Sequence, residues 1–297
     1  MRQDPWRRAL ASYPLQGTLM PRFTDVDVWQ HLNNTALITM HAEAAQQALA
    51  ALLGPDAWRA TTPAFGCVSA ATDFLAEAYY PAPLAWGACV LAAGEGRVRV
   101  ATALFQEAQC VGLHDAVLGC WAHGERVPPG PEQQQAIEAA GLPVIDALEA
   151  GGAPQALAVF PWRTELKVRF GDSDARRLAS DAFLARCAEQ MRVEFLGEAF
   201  GDVRERMGAM LVAHVTLRWY ERRAPGARWQ VGCAVSHVGE RSLAVRGAMF
   251  DGEHCVATCE SVMVAIDPAT RRSAPLPAGT REALACWHVR PQAVANP

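Results

Sequence analysis

The stretch Arg22-Phe23-Thr24-Asp25-Val26-Asp27-Val28-Trp29-Gln30-His31-Leu32-Asn33-Asn34 decides how this chain is read. Its end gathers a histidine and two amides just ahead of a long apolar segment. The chain then returns to the same opening. Arg169-Phe170-Gly171-Asp172-Ser173-Asp174-Ala175 repeats it 147 positions on, Arg22 falling on Arg169 and Asp27 on Asp174. The polar end is not repeated. Leu178, Ala179, Ser180 and Asp181 stand where the first copy has His31, Leu32, Asn33 and Asn34. One copy is equipped for chemistry and the other is stripped of it.

The duplication extends outward from both motifs. Thr35 to Leu53 carries Leu37, Ile38, Met40, Ala44, Ala48 and Leu52 at helical spacing and stops at Gly54. In the second copy Ser180 and Asp181 precede a helix over Ala182 to Leu196, stopped at Gly197. Both begin after side chains whose oxygens accept from the free N–H groups of a first turn, and both end at glycine. Strand-like runs follow. Phe65 to Glu77 falls on Met210 to Glu221, with Thr72 on Thr216, and Trp86 to Ala93 falls on Val231 to Val238. Val98 to Phe105 falls on Leu243 to Phe250, and Asp115 to Cys120 on Glu260 to Ala265. Gly94-Glu95 and Gly239-Glu240 read as hairpin turns.

Each unit is thus a strand, a long helix and about four strands, an α+β arrangement in which an antiparallel sheet wraps a central helix. The units span 15–125 and 161–285, with a connector over 126–160. Val127-Pro128-Pro129-Gly130-Pro131 opens the connector and Gly151-Gly152-Ala153-Pro154 lies near its end, with room for a short helix over Glu132 to Gly141. Two such units side by side can join their sheets, which removes one exposed edge from each.

Bulk composition narrows the function class. A chain of 297 residues suits two units, and 51% hydrophobic with 20% charged residues is that of a folded globular protein. A net charge of −4 gives no basis for nucleic-acid or membrane-surface binding. The nine cysteines are odd in number, irregular in spacing and without C-x-x-C, so neither a disulfide framework nor a zinc site is expected. A reducing, cytoplasmic setting follows as the default. Met1 to Gly17 lacks the apolar core of a secretory signal, and no apolar run approaches the length of a membrane span.

The R-F-x-D-x-D-x-x-x-H-x-N-N string, followed by a helix and four strands, resembles the hotdog-fold acyl-CoA thioesterases, in the branch that includes 4-hydroxybenzoyl-CoA thioesterase. It is also similar to the D-x-N-x-H motif of acyl-ACP thioesterases. Because the pattern occurs once per unit, the chain resembles tandem, or double, hotdog thioesterases, whose two units form a pseudo-dimer within one chain. The resemblance implies a hydrolase that splits an acyl-CoA or acyl-ACP thioester into a carboxylic acid and a free thiol, with no cofactor and no metal. It implies that Asp27 is the catalytic carboxylate, acting as nucleophile or as general base on water. His31 falls on the histidine of the acyl-ACP branch, and Asn33 and Asn34 on the polar pair that opens the helix. Trp29 stands where acyl-ACP enzymes carry Asn, which favours the acyl-CoA branch.

Elementary chemistry agrees. Thioester hydrolysis needs an activated oxygen and a stabiliser for the oxyanion. A carboxylate close to a helix N-terminus has both to hand, because that end presents free N–H groups and the positive end of the helix dipole. His31 can orient water or carry a proton. Each residue also has a plain structural reading. Asn33 or Asn34 caps the helix, and Asp25 suits a turn. Glu43 is a candidate helper, or a solvated helix charge. Asp174 is the second-copy counterpart of Asp27. Arg176 and Arg177 are candidates for CoA phosphate, as are Arg271 and Arg272 in Asp267-Pro268-Ala269-Thr270-Arg271-Arg272. His214 and Glu189 interrupt apolar runs and suit a groove between the units. Two other readings stay open: an acyl-thioester binding protein without turnover, and a hotdog enoyl-CoA hydratase. A tandem chain supplies its own paired unit, and pairing of two chains into a homodimer through free sheet edges also stays open.

Overall fold

The computed structural model describes residues 1, 4–59, 64–144, 156–201, 209–224, 226 and 228–289. The first half runs β1 (Leu15–Leu19), α1 (Asn34–Leu53), β2 (Ala64–Phe74), β3 (Leu84–Gly94), β4 (Arg97–Gln106) and β5 (Gln109–Ala122), with a short β6 (Glu125–Arg126) folded back on β5. The second half runs β7 (Trp162–Lys167), α3 (Asp181–Phe200), β8 (Ala209–Trp219), β9 (Arg228–Val238), β10 (Ser242–Asp251) and β11 (His254–Ile266). Between the halves lies α2 (Pro131–Ala139), and α4 (Thr280–Leu284) follows β11.

All strands join one antiparallel sheet in the order β1-β3-β4-β5-β2-β8-β11-β10-β9-β7. Read from its two ends the order is the same, each element replaced by its counterpart in the other half. The halves meet at β2 and β8, where Ser69 to Asp73 pair with Arg218 to His214. That junction takes one edge from each half, as expected for joined sheets. One apolar cluster spans both halves, holding Ile38, Leu49, Phe65 and Val100 together with Phe183, Phe195, Val231 and Met249. The two long helices are buried along much of their length, α1 through Leu37, Ile38, Ala44, Ala45, Ala48 and Leu49. The Ala-rich face of α1 lets α3 pack against it. Burying a side chain such as Leu49 contributes about 1.5–3 kcal/mol.

Several local expectations shift. α3 does not stop at Gly197 but runs to Phe200, where Gly201 takes φ 69°. Packing of Phe200 into the core carries the helix through the half-buried Gly197. The β3–β4 turn is Glu95-Gly96, with φ 50° and 69°, and not Gly94-Glu95. Two positive φ values in sequence suit the turn that matches strand twist. Cys110-Val111 and Asp115 to Cys120 lie on one continuous strand, β5. The connector helix forms over Pro131–Ala139 and seats Ile137 in the core. Gly151 to Pro154 fall outside the described residues. Among those residues, no helix is long and apolar enough to cross a membrane.

The register of β2 on β5 and of β8 on β11 also changes a pairing. Leu75 and Tyr220 donate backbone N–H groups to the carbonyls of Val111 and Val256, so this part of the duplication runs at a spacing of 145. Glu77 therefore corresponds to Arg222, not Glu221, and Thr216 corresponds to Ala71, not Thr72.

Candidate active site

The loop between the arginine and the helix has the same backbone in both copies. Asp27 N–H bonds to His31 O at 3.0 Å, and Asp174 N–H to Leu178 O at 2.9 Å. Gln30 and Arg177 take matching left-handed φ values of 65° and 61°. One carboxylate oxygen of each aspartate holds this turn, Asp27 Oδ1 accepting from Trp29 N at 2.8 Å and Asp174 Oδ1 from Arg176 N at 2.9 Å. The turn thus gives Asp174 a structural duty of its own. Asp25 is buried and accepts from Arg22 N–H at 2.8 Å, a capping role as expected. Burial pushes its carboxyl up, and its bonds to Arg22 outweigh that and hold it below the usual range.

The copies diverge at the second oxygen. Asp27 Oδ2 faces His31 Nδ1 at 3.3 Å, both side chains mostly buried. His31 Nε2 lies 3.9 Å from Glu77 Oε1. Asn33 is the cap of α1, its Oδ1 accepting from Thr35 N at 2.6 Å, while its Nδ2 donates across the halves to Glu189 Oε1 at 2.9 Å. Asn34 is the first residue of α1. Asp27, His31, Asn34, Glu77 and Glu189 line a cavity of about 560 Å³ between the halves. Its far walls are apolar, with Leu196 of α3, Met210 and Val212 of β8 and Met263 and Ile266 of β11. Val28, Trp29 and Val193 are exposed at its rim.

In the second copy the corresponding space is filled. Arg176 turns inward, its guanidinium bonded to Asp174 Oδ2 and, at 2.8 Å, to Phe65 O. Arg222 is fully buried between the rings of Trp121 and Trp219, 5.0 and 4.6 Å from their centroids. It donates to Asp181 Oδ1, to Ala179 O at 3.1 Å and to Cys67 O at 2.7 Å. Only about 30 Å³ remains there, beside Ala42, His114 and Asp181. Burial pushes the Asp181 carboxyl up, but Arg222 and Arg176 hold it below the usual range.

Several expected roles change with this geometry. Arg176 is committed to Asp174 and the backbone, so it is not free to meet a CoA phosphate, and Arg177 is an exposed residue on the loop of the filled copy. Glu43 points outward and accepts from Gln47 at 2.9 Å, away from the cavity. The helix carboxylate that enters the cavity is Glu189, contributed by α3 of the other half. Counting from the matching helix starts Asn34 and Asp181, its counterpart on α1 is Ala42. His214 pairs with Asp73 at 2.8 Å on the β2–β8 junction rather than lining the cavity. Arg271 pairs with Glu77 at the rim of the site. Glu77, Arg192 and Arg222 carry no motif of their own. The one sequence signal for Glu77 and Arg222 is a charge reversal between matched positions, which appears only at the 145 spacing.

Residues 168–284 match the family model of the thioesterase-like superfamily. The match falls on the copy whose motif is stripped. No curated protein matches the sequence. Among solved structures, the 12:0-ACP thioesterase from Umbellularia californica is 11% identical with a TM-score of 0.62, over 84% of this chain and 93% of that one. An acyl-ACP thioesterase from Bacteroides thetaiotaomicron is 12% identical with a TM-score of 0.58, over 84% and 97%. A protein assigned as an oleoyl thioesterase from Lactobacillus plantarum is 12% identical with a TM-score of 0.64, over 86% and 96%. At these identities the likeness is one of fold. Residues 168–284 carry the sequence pattern of that superfamily, and the fold of these neighbours extends over most of the chain.

Proposed function

We propose that this protein hydrolyses acyl thioesters, acyl-CoA in the first place, at a single site centred on Asp27. Units 15–125 and 161–285 act in this reading as an intrachain pseudo-dimer, the second supplying a wall of the site and the carboxylate of Glu189. The observation that carries the reading is the contrast between two equivalent aspartates. Asp27 lines a cavity of about 560 Å³ beside a helix N-terminus with its second oxygen facing His31, whereas the second oxygen of Asp174 is closed by the Arg176 guanidinium.

In the reaction Asp27 attacks the thioester carbonyl carbon, or takes a proton from a water that does. Negative charge gathers on the carbonyl oxygen and is met by the free N–H groups where α1 begins, with Asn34 the first of them. The C–S bond then breaks and the thiolate leaves, picking up a proton that His31 can supply or relay; where Asp27 is the nucleophile, water then hydrolyses the acyl–Asp27 anhydride, releasing the carboxylic acid and restoring the carboxylate. Asn33 is a positioning residue, holding both the helix start and Glu189. The chemistry uses only water and the chain's own groups. The apolar far walls suit an acyl chain, and the open rim suits the carrier.

Free-thiol release across acyl-CoAs from acetyl to palmitoyl, with aryl-CoAs included, tests the reading. Turnover of at least one member above the buffer rate supports it, and none across the panel overturns it. A second reading has support in the turn that Asp27 Oδ1 holds, since that duty requires an aspartate without requiring catalysis. It is binding of an acyl thioester without hydrolysis, and its signature is a raised melting temperature with no thiol released.

A further inference from the structure

Arg192 lines the acyl cavity, yet nothing in the hydrolysis uses it. It lies on α3 three residues beyond Glu189, on the same face of the helix, and both side chains border the cavity. The residue is 6% exposed. Its Nη1 donates to Ser261 Oγ at 3.1 Å, and Ser261 is itself buried. Among the described residues no carboxylate comes within 4.0 Å of its guanidinium, in contrast to the fully buried Arg222, which bonds Asp181 directly. Burial pushes the Arg192 guanidinium down, and Glu189 offsets this from a distance. The matching position on α1 is Ala45, a plain core residue.

A buried arginine without a direct carboxylate partner is costly, and a cavity for a purely hydrocarbon chain has no need of one. An arginine on a cavity wall offers N–H donors in a fixed fork. Glu189 lies one turn closer to the catalytic loop, and its carboxyl disfavours a second carboxylate beside it. A hydroxyl meets both groups, because it accepts from a guanidinium and donates to a carboxylate. The rise from Glu189 to Arg192 is about 4.5 Å along the helix, so one hydroxyl between them can meet both side chains.

Resting on the hydrolase reading above, we propose that Arg192 sets substrate choice and that the cavity favours hydroxylated acyl groups over plain alkyl groups of equal length. The test compares hexanoyl-CoA, 3-hydroxyhexanoyl-CoA, 5-hydroxyhexanoyl-CoA and adipoyl-CoA with wild type and R192M. The expected result is a kcat/KM for at least one hydroxyacyl thioester about tenfold or more above hexanoyl-CoA and adipoyl-CoA. R192M is expected to remove that preference, the hydroxyacyl kcat/KM falling about tenfold more than the hexanoyl-CoA value. Equal kcat/KM values for hydroxylated and plain chains in the wild type overturn the proposal, as does an equal loss on all four in R192M. A preference for adipoyl-CoA overturns it too, in favour of a carboxylate-reading site. If R192M does not fold, R192K takes its place, since it keeps the charge and loses the fork. If the wild type hydrolyses none of the four, the hydrolase reading is at fault, and thermal shifts with the same thioesters show whether hydroxyl preference survives in binding alone.

Discussion

Two aspartates with one backbone conformation have opposite surroundings, and the difference is made by single residues. Glu77 in one copy and Arg222 in the other occupy matching positions. With Glu77 the space stays open, and with Arg222 it is packed between Trp121 and Trp219 and tied to Asp181. Arg222→Met will leave the Asp181 carboxylate without its main partner and is expected to cost about 3–5 kcal/mol of stability. Urea unfolding measures this; a loss under about 1 kcal/mol would show that the ion pair contributes little. Residue identity at the site was largely legible from sequence, since Asp27, His31, Asn33 and Asn34 stand in one motif. The direction of Arg176 was not, because a side chain's choice between solvent and an inward carboxylate depends on neighbours such as Phe65 from a distant strand.

At the scale of elements, α1 and its cap connect fold to chemistry. Asn33 accepts from Thr35 at the helix start and donates to Glu189 of the other half. Asn33→Ala removes both contacts. The lost cap is worth about 1 kcal/mol. Loss of the Glu189 contact predicts a fall in kcat larger than that stability change explains, and steady-state kinetics beside a melting curve separates the two. Helix α1 also buries His41, stacked at 5.1 Å on His114 of β5, each ring bonded to a threonine. Burial pushes both imidazoles down, His114 to about 4. They are neutral when folded but titrate near 6.5 when unfolded, as ordinary histidines do, about 6.5. As pH falls the unfolded chain takes up protons first, so stability declines from about pH 6.5 downward, and the His114 share levels off near its folded value. Melting temperatures between pH 7.5 and 4.5, set by the experimenter at about one-unit steps, are expected to trace this, with a shallower decline in His114→Gln. A decline of equal slope in that variant would acquit His114. The ends of α1 were readable from Asn33 and Gly54. Its buried face was readable too, from Leu37, Ile38, Met40, Ala44 and Ala48, and Glu189 lies in the groove where its place in an apolar run put it; Glu43, open between helper and solvated charge, lies off the buried face and is exposed.

For the whole molecule, one sheet and one apolar cluster run through both halves, so the chain is expected to unfold in a single calorimetric transition. Two resolved transitions would show that the halves are independent. The doubled sequence foretold paired units and a joined sheet. It left hidden the one-residue offset that pairs Glu77 with Arg222, since strands of similar composition slide past one another without penalty on paper and only ladder hydrogen bonds fix their register. The exchange of Glu77 for Arg222 at that offset, with Arg176 turned inward, separates the open cavity from the filled one, and the single open site is the centre of this account. The most direct measurement compares thiol release by Asp27→Asn and Asp174→Asn. Both amides keep the oxygen that holds the turn, so both variants retain the loop. The account predicts that Asp27→Asn loses about 10²-fold or more of kcat/KM while Asp174→Asn keeps the wild-type value. Wild-type turnover by Asp27→Asn, or an equal loss in both variants, would contradict it.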